Sequence, residues 1–443
     1  QGADTIRVTG AQSNGVALTV DGGQPSGLPG ASGIDTLEVT NTTAGTTVYA
    51  PGATDDSGTI TTPDGAIPFY GLEVANMTSF QASDVITAHG TNGPDQITLL
   101  NNGLNRIWVN NQTVIGFTAF GTVNLLGRFG EDLFSVTPVG LAGVATINVD
   151  GGDPTASDVL VVTASAATET ITYAPTASDA GSVTVTGSPV VNFTTTESVE
   201  IDGRGGNDLL DVLTPAGANT ITYTPGPQVD AGGVLVDSLA PLSFEGLGAT
   251  GTLRFSDVSA GRADTLVHRG SDISDAFVVP GAGNITLTDS PGTHVSVATP
   301  GIDVLVLEGL AGHDLFRLSG TLPYTMTHVD GGASDDDDRL NLDTAAGAVT
   351  VDLGASTVSG YGGMIHYQGL QTINADVSIQ NLTVKATGGD DTVEVTPLTA
   401  TSGVLQANDA DPVLNYSNLG ATFRVDLLSG GEDRLVVYGN STG

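Results

Sequence analysis

The sequence predicts an all-β protein, an elongated parallel β-solenoid (β-helix-like) of irregular Gly-Asp repeats, and three observations carry that prediction. Short segments alternate apolar and polar residues, no segment carries a helical stripe, and one Gly-Asp punctuation mark recurs along the chain. The alternation is plain in TIRV, TLEV, QITLL, TINV, SVTVTG, LFRL and FRVDL, where every second side chain is apolar. Gly, Pro, Asn and Asp interrupt every candidate helix before three turns could form.

The punctuation mark is a Gly followed two positions later by Asp and then by an alternating strand. Clear copies are GADTIRV at 2–8, GIDTLEV at 33–39, GPDQITL at 93–99, GEDLFSV at 130–136, GNDLLDV at 206–212, GHDLFRL at 312–318, GDDTVEV at 389–395 and GEDRLVV at 431–437. Two longer repeats are built on it. In one, an Asp is followed by a Tyr-x-Pro strand and then a Phe: Asp35, Tyr49, Phe69; Asp158, Tyr173, Phe193; Asp208, Tyr223, Phe244. The Asp-to-Tyr offsets are 14, 15 and 15, and the Asp-to-Phe offsets 34, 35 and 36. In the other, an Asp-led strand runs to a Val-Asp-Gly-Gly turn, from Asp4 to Asp21, Asp132 to Asp150 and Asp314 to Asp330. A coarser echo separates Asp95 from Asp275, Asp150 from Asp330 and Asp158 from Asp338 by 180 residues each.

Such short repeats cannot bury an apolar face alone, so neighbours must stack. The chain is expected to be one continuous array over 1–443. Loosely, 1–34 continues a preceding unit, 35–207 and 208–390 are repeat blocks, and 391–443 is a partial repeat. Tandem β-sandwich domains are the alternative, because the Tyr-x-Pro repeat is long enough for several strands and Pro inside a sheet is confined to edges or turns. The C-terminal VVYGNSTG set before the N-terminal QGADTIRV reads like TAHGTNGPDQITL at 87–99. The expected partners are therefore adjoining repeats or copies of the chain itself, stacked head to tail.

Composition narrows the function. The chain has 49 Asp plus Glu against 12 Lys plus Arg, a formal net charge of -37, and its only lysine is Lys385. Nucleic acid and anionic membranes need a basic footprint and are poor partners. A hydrophobic fraction of 39% and a mean hydropathy of +0.12 are too high for a chain that cannot bury a core. There is no cysteine, so no disulfide frame and no thiolate metal site exist, and no apolar run is long enough to span a membrane. An acidic, Thr-rich, nearly lysine-free composition suits a secreted bacterial protein at the cell surface.

Hard oxygen ligands in Gly-rich turns suit calcium, which takes six to eight of them. Any single Gly-x-Asp turn is more simply an Asp accepting a backbone N–H. Three loops gather more carboxylate: VDGGDPTASD with Asp150, Asp153 and Asp158; IDGRGGND with Asp202 and Asp208; and VDGGASDDDD with Asp330, Asp335, Asp336, Asp337 and Asp338. Calcium is the cofactor expected there, because adjacent Asp side chains repel one another without a cation. The segment IDGRGGNDLLDV resembles the calcium-binding nonapeptide G-G-x-G-x-D-x-(apolar)-x of the RTX family of secreted bacterial proteins. That resemblance implies a parallel β-roll with calcium in its turns. The wider pattern is similar to very large repetitive surface proteins of environmental bacteria.

The functional expectation is a structural protein of a filament, fibre or surface layer. An adhesin stalk or a module binding surface polysaccharide is the second reading, and a polysaccharide lyase or hydrolase on a parallel β-helix is the third. Glycoside hydrolysis needs two carboxylates at a set separation, which a chain with 49 acids satisfies somewhere by chance. His89, His268, His294, His313, His328 and His366 form no H-x-H or H-E-x-x-H pattern and are expected at turns or on the surface. No G-x-S-x-G elbow or phosphate loop appears. Trp108, Tyr49, Tyr173 and Tyr223 are expected to pack structurally. Several Asn-x-Ser/Thr sequons, among them Asn41, Asn192 and Asn415, matter only in a glycosylating host.

Overall fold

A computed structural model describes residues 3–10, 18–23, 33–153, 157–258, 264–282, 284–333, 337–428 and 430–439. Those residues form 42 strands and no helix. The chain divides into two compact units, Gln1–Asp211 with Ser238–Gly248, and Val212–Asp237 with Ala249–Gly443.

In each unit the chain passes back and forth between two sheets, laying each new strand parallel to one deposited a coil earlier. In the first unit Thr5–Thr9, Thr36–Thr40, Val74–Thr78 and Val114–Thr118 lie parallel and in register. Further along the same sheet, so do Gln96–Asn101, Leu133–Val136, Val159–Thr163, Ser198–Asp202 and Leu242–Glu245. The second sheet of this unit stacks Thr46–Pro51, Val85–His89, Thr122–Leu126, Thr146–Asp150 and Val190–Thr194. The second unit repeats the plan. Asp264–Arg269, Ile302–Glu308, Met326–Asp330 and Met364–Gln368 stack in one sheet. Ala276–Pro280, Leu315–Ser319, Arg339–Asp343, Thr372–Asp376 and Ala410–Ser417 stack in the other. Among the described residues Thr5–Thr9 pairs only with Thr36–Thr40 and Arg434–Val437 only with Thr392–Pro397, so each is an edge strand.

Register explains why the sequence alternates. Parallel in-register stacking aligns every inward residue with its counterpart in the next coil, so Ile97, Phe134, Leu160, Val199 and Leu242 form one buried column, and Leu99, Val136, Val162, Ile201 and Phe244 the next. Each side chain buried in such a column contributes about 1.5–3 kcal/mol. The core therefore lies between the sheets, and rings from the two sheets meet there: Tyr416 stacks on Phe423 with centroids 4.8 Å apart, and His268 stands edge-on to Phe277 at 5.2 Å. The parallel stacking decides for the solenoid over tandem sandwiches.

The sandwich alternative nevertheless contained part of the answer. Two of the Tyr-x-Pro repeats are three-stranded antiparallel meanders set into the parallel stack, and at Tyr223 the strand Thr220–Pro225 pairs antiparallel with Gly232–Val236. Thr46–Pro51, Gly58–Thr62 and Gly65–Tyr70 form the first, and Thr170–Ala177, Ala180–Val185 and Val190–Thr194 the second. Thr392–Pro397, Gly403–Ala407 and Ala410–Ser417 form another, in the second unit. Proline ends or nearly ends the first strand, where the hairpin turn begins and its missing N–H costs nothing. Tyr and Phe are a pair within one meander and do not stack from coil to coil: Tyr49 lies on Phe69 at 6.5 Å and Tyr173 on Phe193 at 6.3 Å, all four rings buried.

Each of these meanders places a glycine of its middle strand directly opposite the aromatic residue of its third: Gly58 opposite Phe69, Gly181 opposite Phe193 and Gly403 opposite Tyr416. The ring lies where a side chain would be. A Cβ on Gly58 or on Gly181 would stand 2.8 Å from the Cζ of its facing Phe. Gly181→Ala is therefore expected to destabilise the protein by about 1–3 kcal/mol through overpacking. In urea titrations a Gly181→Ala, Phe193→Leu double variant should lose less than the two single losses added together.

Candidate functional site

The residue at the end of each Gly-x-Asp mark is the last before its strand, and the structure gives it one repeated task. At Asp35, Asp132, Asp208, Asp314 and Asp433 its Oδ1 accepts the backbone N–H of the equivalent residue one coil earlier, while Oδ1 of Asp95 and of Asp391 accepts the side-chain amide of Asn110 and of Asn408. Asp95 N–H donates to Asp132 Oδ1 at 2.8 Å, Asp132 N–H to Asp158 Oδ1 at 2.7 Å, and Asp158 N–H to Glu197 Oε2 at 2.8 Å. The second unit has the same series: Asp275 to Asp314 at 2.8 Å, Asp314 to Asp338 at 2.7 Å, and Asp338 to Gln371 Oε1 at 2.6 Å. Asp4, Asp35 and Glu73 form a third series. The main chain answers in the opposite direction, since Leu133 N–H donates to the Asp95 carbonyl and Val159 N–H to the Asp132 carbonyl. Every joint in a series is thus bracketed by two bonds. The carboxylates do accept backbone N–H groups, as the simplest reading of a Gly-x-Asp turn requires, but from the neighbouring coil.

These carboxylates are buried. Asp132, Asp158, Asp208, Asp314 and Asp338 are all at most 2% exposed. Their second oxygens lie against the glycine that ends the preceding strand, at the place its Cβ would occupy: Gly127 for Asp132, Gly151 for Asp158, Gly203 for Asp208, Gly309 for Asp314 and Gly331 for Asp338. Where Ser or Thr follows that glycine, the second oxygen finds donors: Thr91 N–H reaches Asp95 Oδ2 at 2.7 Å and Ser271 N–H reaches Asp275 Oδ2 at 2.6 Å. Where the next residue is left-handed, as Arg128 (φ 84°) and Arg204 (φ 61°) are, the second oxygen has no hydrogen-bond partner, which is the state of Asp132 and Asp208. Burial then pushes the Asp132 carboxyl up to about 6, with the charges of Asp95 and Asp158 adding to the rise. Burial also raises Asp158 and Asp208.

The Val-Asp-Gly-Gly turn now has a reason at each letter. Asp330 Oδ1 accepts the N–H of Gly332, two residues on, in an Asx turn, as Asp202 does from Arg204. Gly331 leaves room for the carboxylate of Asp338, and Gly332 takes φ 95°. At the equivalent Asp150 the Thr195 hydroxyl bridges, donating to Oδ1 at 2.6 Å and accepting from Gly152 N–H at 2.8 Å.

The residues singled out as calcium ligands therefore separate into kinds. Asp158, Asp208 and Asp338 are buried ladder members. Asp150, Asp202 and Asp330 hold their own turns, and Gln368 donates to the other oxygen of Asp330 at 2.5 Å. Asp337 is exposed, paired with Arg339 and held below the usual carboxylate range by it. Asp153 is half-buried near enough to Asp158 to raise it, together with Glu197 and Asp150. Asp335 and Asp336 lie outside the described residues. Among the described residues no three acidic or His side chains converge as a metal cluster.

Some participants were invisible in the sequence. Glu73, Glu197 and Gln371 take the Asp slot with a longer side chain; their signal is position, immediately before Val74, Ser198 and Thr372. Two amide ladders run across the outer faces. Asn192 donates to Asn148 at 3.0 Å and Asn148 to Asn124 at 2.9 Å in the first unit, and Asn415 to Asn374 and Asn374 to Asn341, both at 2.7 Å, in the second. The sequon residues Asn192 and Asn415 are thus engaged, and Asn41 is buried on Thr47. Histidine also departs from expectation. His268 is buried between the rings of Tyr223 and Phe277, and burial lowers its pKa to about 4. His294 is buried beside Asp289. Trp108 is half-buried on an outer strand face.

In comparisons with known proteins, no family model matches the chain and no curated protein matches it.

Two consequences of the ladder can be measured. Asp132→Ala removes the acceptor for a buried N–H and should cost about 1–3 kcal/mol in chemical denaturation. Asp132→Asn keeps the acceptor and isolates the charge. A carboxyl raised in the fold from 3.8 to about 6 weakens the fold while ionised, a penalty that fades as pH falls from about 6 toward 3.8. The melting temperature of the wild type should therefore rise relative to that of Asp132→Asn between pH 7 and pH 5.

Proposed function

We propose that the protein is a structural component of a bacterial cell surface, a repeat scaffold that builds or decorates a filament, fibre or layer. The observation that carries this reading is the ladder itself. Buried carboxylates, which elsewhere serve as acids, bases or ligands, are here used to join one coil to the next, and the aromatic, amide and apolar columns do the same. A chain that uses its most reactive side chains for coil-to-coil cohesion is built to extend and persist.

Self-association head to tail is part of the proposal. In the strand Arg434–Val437, Leu435 and Val437 are 46% and 60% exposed, although their register partners Val393 and Val395 are buried. These are inward positions that a further coil would cover, and among the described residues the backbone edge beside them is unpaired and offers a template for an added strand. Concentrated protein is expected to form end-to-end assemblies in negative-stain images and in sedimentation, and Leu435→Lys with Val437→Lys should suppress them. Monomers alone at all concentrations would remove self-association from the reading.

Calcium belongs to the same proposal at one place. At the loop after Thr146–Asp150 the charges of Glu197, Asp153 and Asp150 each act on the buried Asp158, and that repulsion is what a divalent cation would relieve. The repeat-wide ladder fits calcium less well, because its Oδ1 atoms are taken by N–H groups. Adding EDTA is expected to lower the melting temperature and adding calcium to restore it; an unchanged midpoint would leave the scaffold without its metal.

A further inference from the structure

The strands Met326–Asp330 and Met364–Gln368 lie side by side, parallel and in register, so that Met326 faces Met364 and His328 faces His366. All four are on the outer face, since Thr327, Val329, Ile365 and Tyr367 point into the core. Two of the three methionines and two of the six histidines of a 443-residue chain thus meet in one patch, each strand supplying a Met-x-His. No requirement of the fold explains this. Equivalent outward positions on the adjoining strands carry Val304, Val306, Thr265 and Val267, and thioether and imidazole add little to a solvent-facing sheet.

The geometry is that of donors already gathered. The two imidazoles are stacked with centroids 5.0 Å apart and planes 19° from parallel. His328 Nε2 lies 3.0 Å from Met326 Sδ. Metal–nitrogen and metal–sulfur bonds of about 2.0 and 2.3 Å, the lengths zinc shows, would span that separation at an angle of about 90°. Met364 is 41% exposed and free to turn toward the same point. The patch borders an open cleft of about 540 Å³ lined by Val306, Glu308, His328, Asp330, His366 and Gln368, which gives an ion access and places two carboxylates beside it.

We propose that Met326, His328, Met364 and His366 form a binding site for a soft monovalent metal ion, Cu(I). Thioether sulfur selects soft ions and imidazole accepts copper, whereas calcium and magnesium require oxygen. Its soft donors set the site apart in chemistry from the acidic loops, with Asp330 bordering both, and it stands or falls independently of the scaffold reading.

The test uses the full chain. Cu(I), kept reduced with ascorbate, is titrated in competition with a chromophoric Cu(I) chelator, and Ag(I) is titrated by calorimetry as a redox-inert equivalent. One equivalent should bind with micromolar or tighter affinity in the presence of excess calcium, and X-ray absorption should show sulfur as well as nitrogen ligands. Met326→Leu with Met364→Leu, and separately His328→Gln with His366→Gln, should each weaken binding at least tenfold while circular dichroism stays unchanged. His313→Gln, at a different surface imidazole, should leave binding as it was. Binding weaker than 100 µM by the wild type, wild-type affinity in the double Met variant, or a spectrum without sulfur would each overturn the assignment.

Discussion

A backbone N–H at the mouth of each strand, buried where no ordinary ladder partner reaches it, is the constraint on which the rest of this structure depends. Parallel coils supply main-chain partners along the strand, but at the corner the chain turns away and the first donor is left behind. A buried unpaired donor costs about 1–3 kcal/mol, and the cost would recur in every coil. A carboxylate on a short side chain from the next coil satisfies it, and the strand's first ladder bond then returns through the carbonyl of the same residue. Glycine follows from this arrangement. The second carboxylate oxygen occupies the space of the Cβ of the glycine that follows the preceding strand, such as Gly127 for Asp132 or Gly309 for Asp314, while the Gly two residues before the Asp takes a left-handed turn, φ 117° at Gly130 and 119° at Gly312.

The same constraint accounts for the irregular spacing. A coil only has to return its corner to the stack. What happens between corners is free, provided that the strand after the excursion pairs in register. The meanders use that freedom: three antiparallel strands replace one, an aromatic residue of the third covers a glycine of the second, and the chain resumes its parallel path. Hairpin geometry is local and parallel pairing is not, so the two kinds of pairing coexist without competing for the same backbone groups.

Carboxylates are concentrated at corners, where most of those described accept N–H groups or hold their own turns. The thioethers and imidazoles sit on a sheet face, on neighbouring strands of one unit. A scaffold role and an ion site on its surface are compatible, because the outer side chains of a solenoid are not needed to hold its coils together.

Much of the fold was legible in the sequence. Alternation determined that the chain is all β, and the recurrence of Gly-x-Asp determined that it is a stack. Two of the Tyr and Phe offsets, Tyr49 to Phe69 and Tyr173 to Phe193, also marked real units, the meanders in which those rings pair. What those units are was decided only by tertiary structure. The contacts that define them, Gly181 under Phe193 or Tyr173 on Phe193, depend on which strand lies beside which, and spacing does not specify a neighbour. For the same reason the sequence established that Asp158 matters but not that its partner is the N–H of Asp132, a coil away. It gave no sign that Glu197 and Gln371 do the work of Asp, because only the stacked coil reveals that their longer side chains reach the same donor. His328 and His366 are the clearest case. Separated by 38 positions, they carry no motif at all, and only parallel, in-register pairing sets them ring on ring.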